Sequence, residues 1–468
     1  MKKHIITKSL MAASMLLMTV AAFAQSASSA YFLEGFHQRY QLNPAFAPER
    51  RVFVALPAIS NIQVDAQSNV GLANFLFETR YKPNMLTTFM SPYVEADEFL
   101  DKLPDVSQVN VGLNMDIWAL GIGGKNGFTT FNIKLRNNEK VSLPKDLFQF
   151  MKAGLAHDNY LIENINVNSI TYLETSLTHS HKIGDNLTVG LGLKFLEGVA
   201  YANMNIDEVD AQLSESAWRV KTNGTLKASI PGAKYKYDPK NNSLEGFDKY
   251  DYKTPSSYGF AVDLGAEYDF KDIVDGLKVS AAITDLGFIN WADMTTFATD
   301  NSKYVTFTGF KNYEIKGENN DDTFDQLKDD FNDMIRLYQK GENEKENVML
   351  DATLRLGAEY NLPFAQWLSF GELLTYRTGL YSYTESRTSI CMSPCGWFDV
   401  SGNLLLSTMG SSMGVMLNLH PAGFNFFLAV DRLDADLNKQ FVPLHDFGLN
   451  FSMGFSLTFG QKRNTIDD

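Results

Sequence analysis

The chain alternates apolar and polar residues over unusually long stretches. In residues 446–459 every odd position is apolar: Phe447, Leu449, Phe451, Met453, Phe455, Leu457 and Phe459. Every even position is small or polar: Asp446, Gly448, Asn450, Ser452, Gly454, Ser456 and Thr458. Side chains of a strand point alternately to its two faces, so this segment has one apolar face and one wet face. The same alternation runs through 258–270, 350–362, 187–195 and 109–117. Strands of soluble proteins are usually about 5–6 residues long, whereas a tilted membrane-crossing strand needs about 9–11. Charges on the wet face point to a solvated lumen rather than the dry core of a β-sandwich. The pattern predicts an all-β protein, a transmembrane antiparallel up-and-down β-barrel.

Fourteen candidate strands can be placed: near 50–65, 109–122, 127–137, 167–182, 186–204, 256–270, 276–289, 350–362, 366–378, 380–391, 398–408, 412–420, 424–431 and 445–459. The first contains Pro57 and the tenth alternates poorly. The connections alternate in length. They are short around Lys125 to Gly127, Gly184–Asp185, Lys271 to Asp275, Pro363 to Ala365, Ser393 to Gly396 and Pro421–Ala422. They are long over 66–108, 138–166, 205–255 and 290–349. Outer-membrane barrels have short periplasmic turns and long external loops, and an even strand count puts both termini in the periplasm. Within the long loops, Phe324, Leu327, Phe331, Ile335 and Tyr338 fall at helical spacing. Pro144 opens a second candidate helix and a third lies near 94–103. All three read as loop packing elements.

The chain's start carries Lys2, Lys3 and Lys8 before an apolar run that ends in Ala22-Phe23-Ala24. This is the pattern of a cleaved secretory signal. The expected organisation is a signal peptide at 1–24, an N-terminal segment at 25–49, a barrel at 50–460 and a polar periplasmic tail at 461–468. After the signal no apolar run reaches the roughly 18 residues of a transmembrane helix. Aromatic residues make up 13% of the chain and the net charge is −14. The acidic balance argues against nucleic acid, which needs clustered Lys and Arg. It fits acid- and Asn-rich tracts at 205–251 and 314–346 exposed on the outer surface. The expected contacts are outer-membrane lipid and lipopolysaccharide.

Three segments carry a family resemblance. Gln41-Leu42-Asn43-Pro44-Ala45-Phe46, just before the first strand, resembles the N-terminal segment of FadL-type outer-membrane transporters. Ala282-Ile283-Thr284-Asp285-Leu286-Gly287-Phe288-Ile289-Asn290-Trp291 is similar to a segment of PorV-like and uncharacterised barrels of Bacteroidota. The stretch Gly423 to Asp431, followed by the alternating last strand, is similar to the same group. The resemblance implies a fourteen-stranded barrel whose N-terminal segment plugs the lumen, with Asn43 and Pro44 as plug residues. It departs from many outer-membrane barrels in that Phe459, at the place of their terminal aromatic, is followed by a polar tail.

Candidate chemistry is sparse. The lumen-facing charges are Asp116, Lys134, Arg136, Lys194, Asp263, Glu267, Arg355, Glu359 and Arg377. Their mixed signs predict pairing inside a narrow lumen. Cys391 and Cys395 flank an expected turn in a compartment that permits a disulfide. His179 and His181 share one strand face, which reads as an interfacial pair, since metal sites want a third and fourth ligand. The run Asn319 to Asp322 with Asp325 lacks the spacing of an EF-hand loop and reads as solvated surface. No Ser-His-acid set can be placed by spacing, so no enzyme, metal or cofactor is expected. Two functions compete. One is FadL-like passive transport of a small hydrophobic molecule, which calls for an apolar pocket near Asn43 and Pro44. The other is a non-transporting barrel that binds a surface or periplasmic protein, as the PorV-like resemblance implies.

Overall fold

The computed structural model describes residues 27–56, 60–78, 85–251, 253–307, 336–380, 382–408, 410–434 and 447–462. Fourteen strands form one closed antiparallel ring. In chain order they are β1 (Arg50–Ala55 continued by Ile62–Ser68), β2 (Val106–Gly123), β3 (Gly127–Pro144), β4 (Asn159–Ile183) and β5 (Leu187–Leu213). Next come β6 (Ser257–Asp269), β7 (Leu277–Thr299), β8 (Thr353–Asn361), β9 (Leu368–Arg377) and β10 (Tyr383–Cys395). The ring ends with β11 (Phe398–Ser407), β12 (Gly410–Leu419), β13 (Phe424–Asp434) and β14 (Phe447–Lys462). Both arms of β1 pair with β14, through Ala55↔Ser456 and Ile62↔Met453. The first arm also pairs with β2, through Val52↔Ile122, and so closes the sheet.

The faces are inverted relative to a water-soluble protein. Leu191, Leu193, Phe195, Phe260, Leu356, Leu374 and Leu404 are exposed on the outside. Asn132, Ser176, Thr178, Ser401, Asn418, Ser452 and Ser456 are buried inside. A closed ring satisfies every backbone group along its walls and leaves no open edge, which is what lipid demands of a membrane-crossing sheet. No helix among the described residues is long and apolar enough to cross a membrane, which leaves crossing by strands untouched.

The expected long loops are largely strand. β4 has 25 residues and β5 has 27, far more than crossing a bilayer requires. Their outer halves continue into a sheet with Trp218–Ser229, which pairs with β5 and with the end of β7. Leu337–Met349 pairs with the outer end of β7, so Tyr338 lies in a strand rather than in the expected helix. The rest of that helix, from Phe324 to Ile335, lies outside the described residues. So do the acidic run 319–325, the signal segment 1–24 and residues 463–468. The strand extensions escaped the sequence pattern because bulges and irregular residues interrupt the alternation there, at Asn164 on β4, between Ile206 and Glu208 on β5, and between Trp291 and Thr296 on β7. Two loop helices do form, Lys145–Ala153 after Pro144 and Ala96–Leu100. Phe148 and Phe99 join one aromatic cluster with Phe75, Phe77 and Phe89.

Candidate functional site: the barrel interior

The interior divides into two levels. At the short-turn end, residues 27–46 run through the lumen in two short 3-10 turns, Ser28–Ala30 and His37–Gln41, without joining the sheet. Tyr31, Phe32, Leu33, Phe36, Leu42 and Phe46 are buried with the inward wall residues Leu373, Cys391, Met416 and Phe427. The rings of Tyr31 and Phe46 meet edge-on with centroids 5.0 Å apart, and Phe36 meets Phe427 at 4.8 Å.

The wall is cut back to admit this segment. Gly190, Gly265, Gly357 and Gly371 each lie three or four residues from the short-turn ends of β5, β6, β8 and β9. A Cβ on Gly190 would strike the backbone of Pro44, and one on Gly265 would strike Asn43 and Pro44. One on Gly357 would meet Tyr31, and one on Gly371 would meet Phe32. Polar contacts fix the segment's height. The Asn43 side chain accepts from the Ala45 amide at 2.9 Å, an Asx turn that sets the bend, and donates towards Ala266 O at 3.4 Å. Tyr31 Oη lies 3.0 Å from Ser280 Oγ, and burial raises this phenol above its ordinary pKa. Gln41 donates to Asp116 at 2.9 Å and accepts from Lys134 at 2.8 Å. The Ser29 amide donates to Asp431, and Ser401 donates to Ser29 O at 2.6 Å.

Towards the long-loop end the filling changes from rings to charges. Arg136 holds Asp285 with both guanidinium nitrogens, at 2.7 and 3.1 Å, and reaches Glu174 at 2.9 Å. Lys194 contacts Asp285 at 2.6 Å and Asp263 at 2.7 Å. Two cations therefore hold three carboxylates in a buried network. A second group joins Lys140 and Arg377 to one carboxylate, Asp351. These groups line a cavity of about 130 Å³ together with Asn132, Asn138 and Thr178. Ile170, Tyr172, Val348 and Leu350 form its apolar part.

Asp285 owes its place to a β-bulge. Val262 pairs with Leu286 but Leu264 pairs with Ile283, so Thr284 and Asp285 together oppose Asp263. Asp285 adopts a φ of 62°, a left-handed conformation that Asp tolerates better than most residues. Its amide donates to Asp263 Oδ1 at 2.7 Å. The bulge shifts the alternation of β7: Ala282 and Thr284 are buried before it, Ile289 and Trp291 after it.

All nine sequence-chosen lumen charges sit on the inner wall. Asp116 lies 3.9 Å from Lys134, and Arg136, Lys194 and Asp263 join the network just described. Arg355 donates to Thr284 Oγ1 at 3.0 Å and reaches Leu42 O at 3.4 Å. Glu267 and Glu359 lie near Lys278, which pairs with Glu34 of the interior segment. Glu174, Asp285 and Asp351 were not among the nine. Asp285 has the parity of the lipid face, and the signal for it was that mismatch: a lone acid in an otherwise apolar alternation.

The disulfide expectation is corrected. Cys391 and Cys395 are both free. They lie on one continuous strand, β10, with Cys391 opposite Ser401 and Cys395 opposite Phe398. Four residues of strand span roughly 13 Å, well beyond disulfide reach. His179 and His181 lie on the outer face with ring centroids 5.9 Å apart, and Thr129 Oγ1 is 2.8 Å from His179 Nδ1. No group of three His, Cys, Asp or Glu among the described residues could hold a metal ion.

No curated protein matches the chain. Among solved structures, it is similar to the toluene transporter TbuX of Ralstonia pickettii, at 8% identity and a TM-score of 0.43, covering 95% of this chain and 100% of the other. It is similar to the toluene transporter TodX of Pseudomonas putida, at 6% identity and a TM-score of 0.40, covering 94% and 95%. The translocator domain of the autotransporter NalP from Neisseria meningitidis matches at 7% identity and a TM-score of 0.34, covering 94% and 100%. A family model matches residues 44–431, most of the chain, and the protein belongs to that family of unknown function, DUF5723.

Proposed function

We propose that this protein is a gated outer-membrane transport barrel in which residues 27–46 are the gate. The observation that carries this reading is how the segment is held. It lies in the lumen on side-chain contacts and shares no strand pairing with the wall, so it can leave without unzipping the barrel. In this reading residues 1–24 are the cleaved signal, 25–49 the plug, 50–460 the barrel and 461–468 a periplasmic tail, with both termini in the periplasm. The cargo is a small solute. A hydrophobic solute would use the aromatic surroundings of Tyr31, Phe36 and Phe427, now filled by the segment's own rings. The cavity beyond is lined mainly by polar and charged groups and favours a solute with polar functions.

A second reading, a barrel that binds a partner protein, is favoured by the outer sheet of β4, β5 and Trp218–Ser229. That sheet extends well past the length a bilayer uses. Single-channel conductance of refolded protein, with and without residues 25–49, separates the two. The gate reading expects closed channels in the full chain and conducting ones after deletion. If both stay closed, passive flow is ruled out and the outer sheet becomes the site to probe.

A further inference from the structure

The cavity above the interior segment is bordered by polar groups that the wall leaves incompletely engaged. Ser28, Tyr40 and Gln41 of the segment form its floor. Arg377 and Thr375 line it from the inner face of β9, two residues and about 7 Å apart along the strand. The lumen arginines are held unequally. Arg136 grips Asp285 with two nitrogens, and Arg387 grips Glu385 with two, at 2.9 and 3.2 Å. Arg377 meets Asp351 with one nitrogen at 3.3 Å, and its side chain stays 19% accessible deep inside the ring. The Thr375 hydroxyl is buried and has no hydrogen-bond partner among the described residues. Two neighbouring donors on one strand thus lack a good acceptor.

Across the lumen, β3 shows the opposite deficit. Asn138 Nδ2 donates to Asn110 Oδ1 at 3.2 Å, and Asn110 Nδ2 donates to Asp65 Oδ2 at 3.1 Å. This relay fixes the Asn138 amide, whose oxygen is buried without a partner among the described residues. Asn132 Nδ2 donates to Tyr40 Oη at 3.1 Å, and its oxygen is left in the same condition. Both residues line the cavity. Lys140 and Arg355 face it beside Arg377, and the Glu385 carboxylate there is taken up by Arg387. A site with buried polar groups left unpaired favours the molecule that completes them and rejects the analogue that does not. What completes these groups is a molecule with an anionic acceptor at one end and hydroxyl donors at the other.

We propose that this cavity is a binding site for a hydroxylated carboxylate, a sugar acid. Its carboxylate takes the Arg377 guanidinium and the Thr375 hydroxyl, and its own hydroxyls donate to Asn138 and Asn132. The proposal rests on the reading that the lumen admits a solute, and it names that solute's class. A guanidinium fork matches a carboxylate with two parallel bonds. The amide oxygens call for hydroxyls rather than for hydrocarbon. A plain aliphatic acid therefore leaves Asn138 unpaired, and a neutral sugar leaves Arg377 unpaired. Because Tyr40 and Gln41 form the floor, a bound sugar acid lies directly against the segment that has to move.

The test is calorimetric titration of the full chain, folded in detergent micelles, with glucuronate, glucose and hexanoate. Glucuronate is expected to bind, and each of the other two to bind about tenfold more weakly, the loss of one charge-assisted bond or of the hydroxyl set. Arg377→Gln should weaken glucuronate about tenfold, and Arg377→Lys, which keeps the charge without the fork, should fall between. Asn138→Leu should narrow the gap between glucuronate and hexanoate, a change that a merely structural role would not produce. Heat-modifiable gel migration checks that each variant keeps its barrel. A wild type that binds no glucuronate overturns the proposal, and so does one that binds hexanoate as tightly. An Arg377→Gln variant that binds glucuronate like the wild type overturns it too. Conductance judges the gate separately: binding in a barrel that never conducts sinks transport and keeps the site, whereas conduction without binding sinks the site alone.

Discussion

The two levels of the lumen are built from the same wall yet filled in opposite ways. At the short-turn end, inward glycines leave space and aromatic side chains from residues 27–46 occupy it. At the other, Arg136, Glu174, Lys194, Asp263 and Asp285 come from β3, β4, β5, β6 and β7 in turn and lock onto one another. The first filling belongs to a separate segment, and the second to the wall itself. Losing the first should leave a barrel, whereas losing the second should weaken the barrel. An interior can thus be rigid at one level and removable at another.

The sharpest way to break this contrast is Lys194→Met. It removes the cation that Asp263 and Asp285 share, and breaking such a buried pair costs about 3–5 kcal/mol. The urea midpoint of the folded barrel should fall accordingly, with the N-terminal segment still protected from protease until the wall unfolds. Phe36→Ala removes a fully buried ring from the other level, an effect of about 3 kcal/mol. It should appear as protease sensitivity of residues 27–46 with little change in the urea midpoint. If the midpoint falls as far as for Lys194→Met, the two levels are one cooperative unit.

Gly265→Val tests the cut-back wall without touching the segment. Its side chain would collide with Asn43 and Pro44, and overpacking of this kind costs about 1–3 kcal/mol. Protease should reach the segment while heat-modifiable migration stays that of a folded barrel. The smallest effect is alkaline. The buried Tyr31 phenol has its pKa raised above the ordinary value of about 10, so its docking energy is intact below that pH. It is lost as the pH rises through the folded-state pKa. Protease protection of the segment should therefore weaken at high pH, and Tyr31→Phe should remove that Tyr31-dependent component.

Legibility followed the solvent. Wherever lipid lies on one side and a polar lumen on the other, alternation exposed the strand, and fourteen strands were readable. β1 was hard to read because it runs as two arms, Arg50–Ala55 and Ile62–Ser68, rather than as one strand. β10 was hard because its outward face carries Thr384, Ser386 and Thr388 in place of apolar residues. The outer halves of β4, β5 and β7 passed for loops because bulges shift the phase of their buried face, which covers Ile162, Ile206 and Phe297. Of the interior network, Arg136, Lys194 and Asp263 could be found by parity. Asp285 could not, because a one-residue bulge changes the phase, and no alternation rule carries through it.

The seam of the ring has a kinetic meaning. Arg50 pairs with Lys462, so the wall is shut by its first strand meeting its last. Contacts between such distant parts of a chain form late, after a large loss of chain entropy. Residues 27–46 are tethered directly to that first strand, and their contacts reach right round the ring, to Gly190 on β5, Gly265 on β6, Ser280 on β7, Ser401 on β11 and Asp431 on β13. The interior segment therefore has no complete cradle until the cylinder is nearly finished, and its docking times the end of assembly.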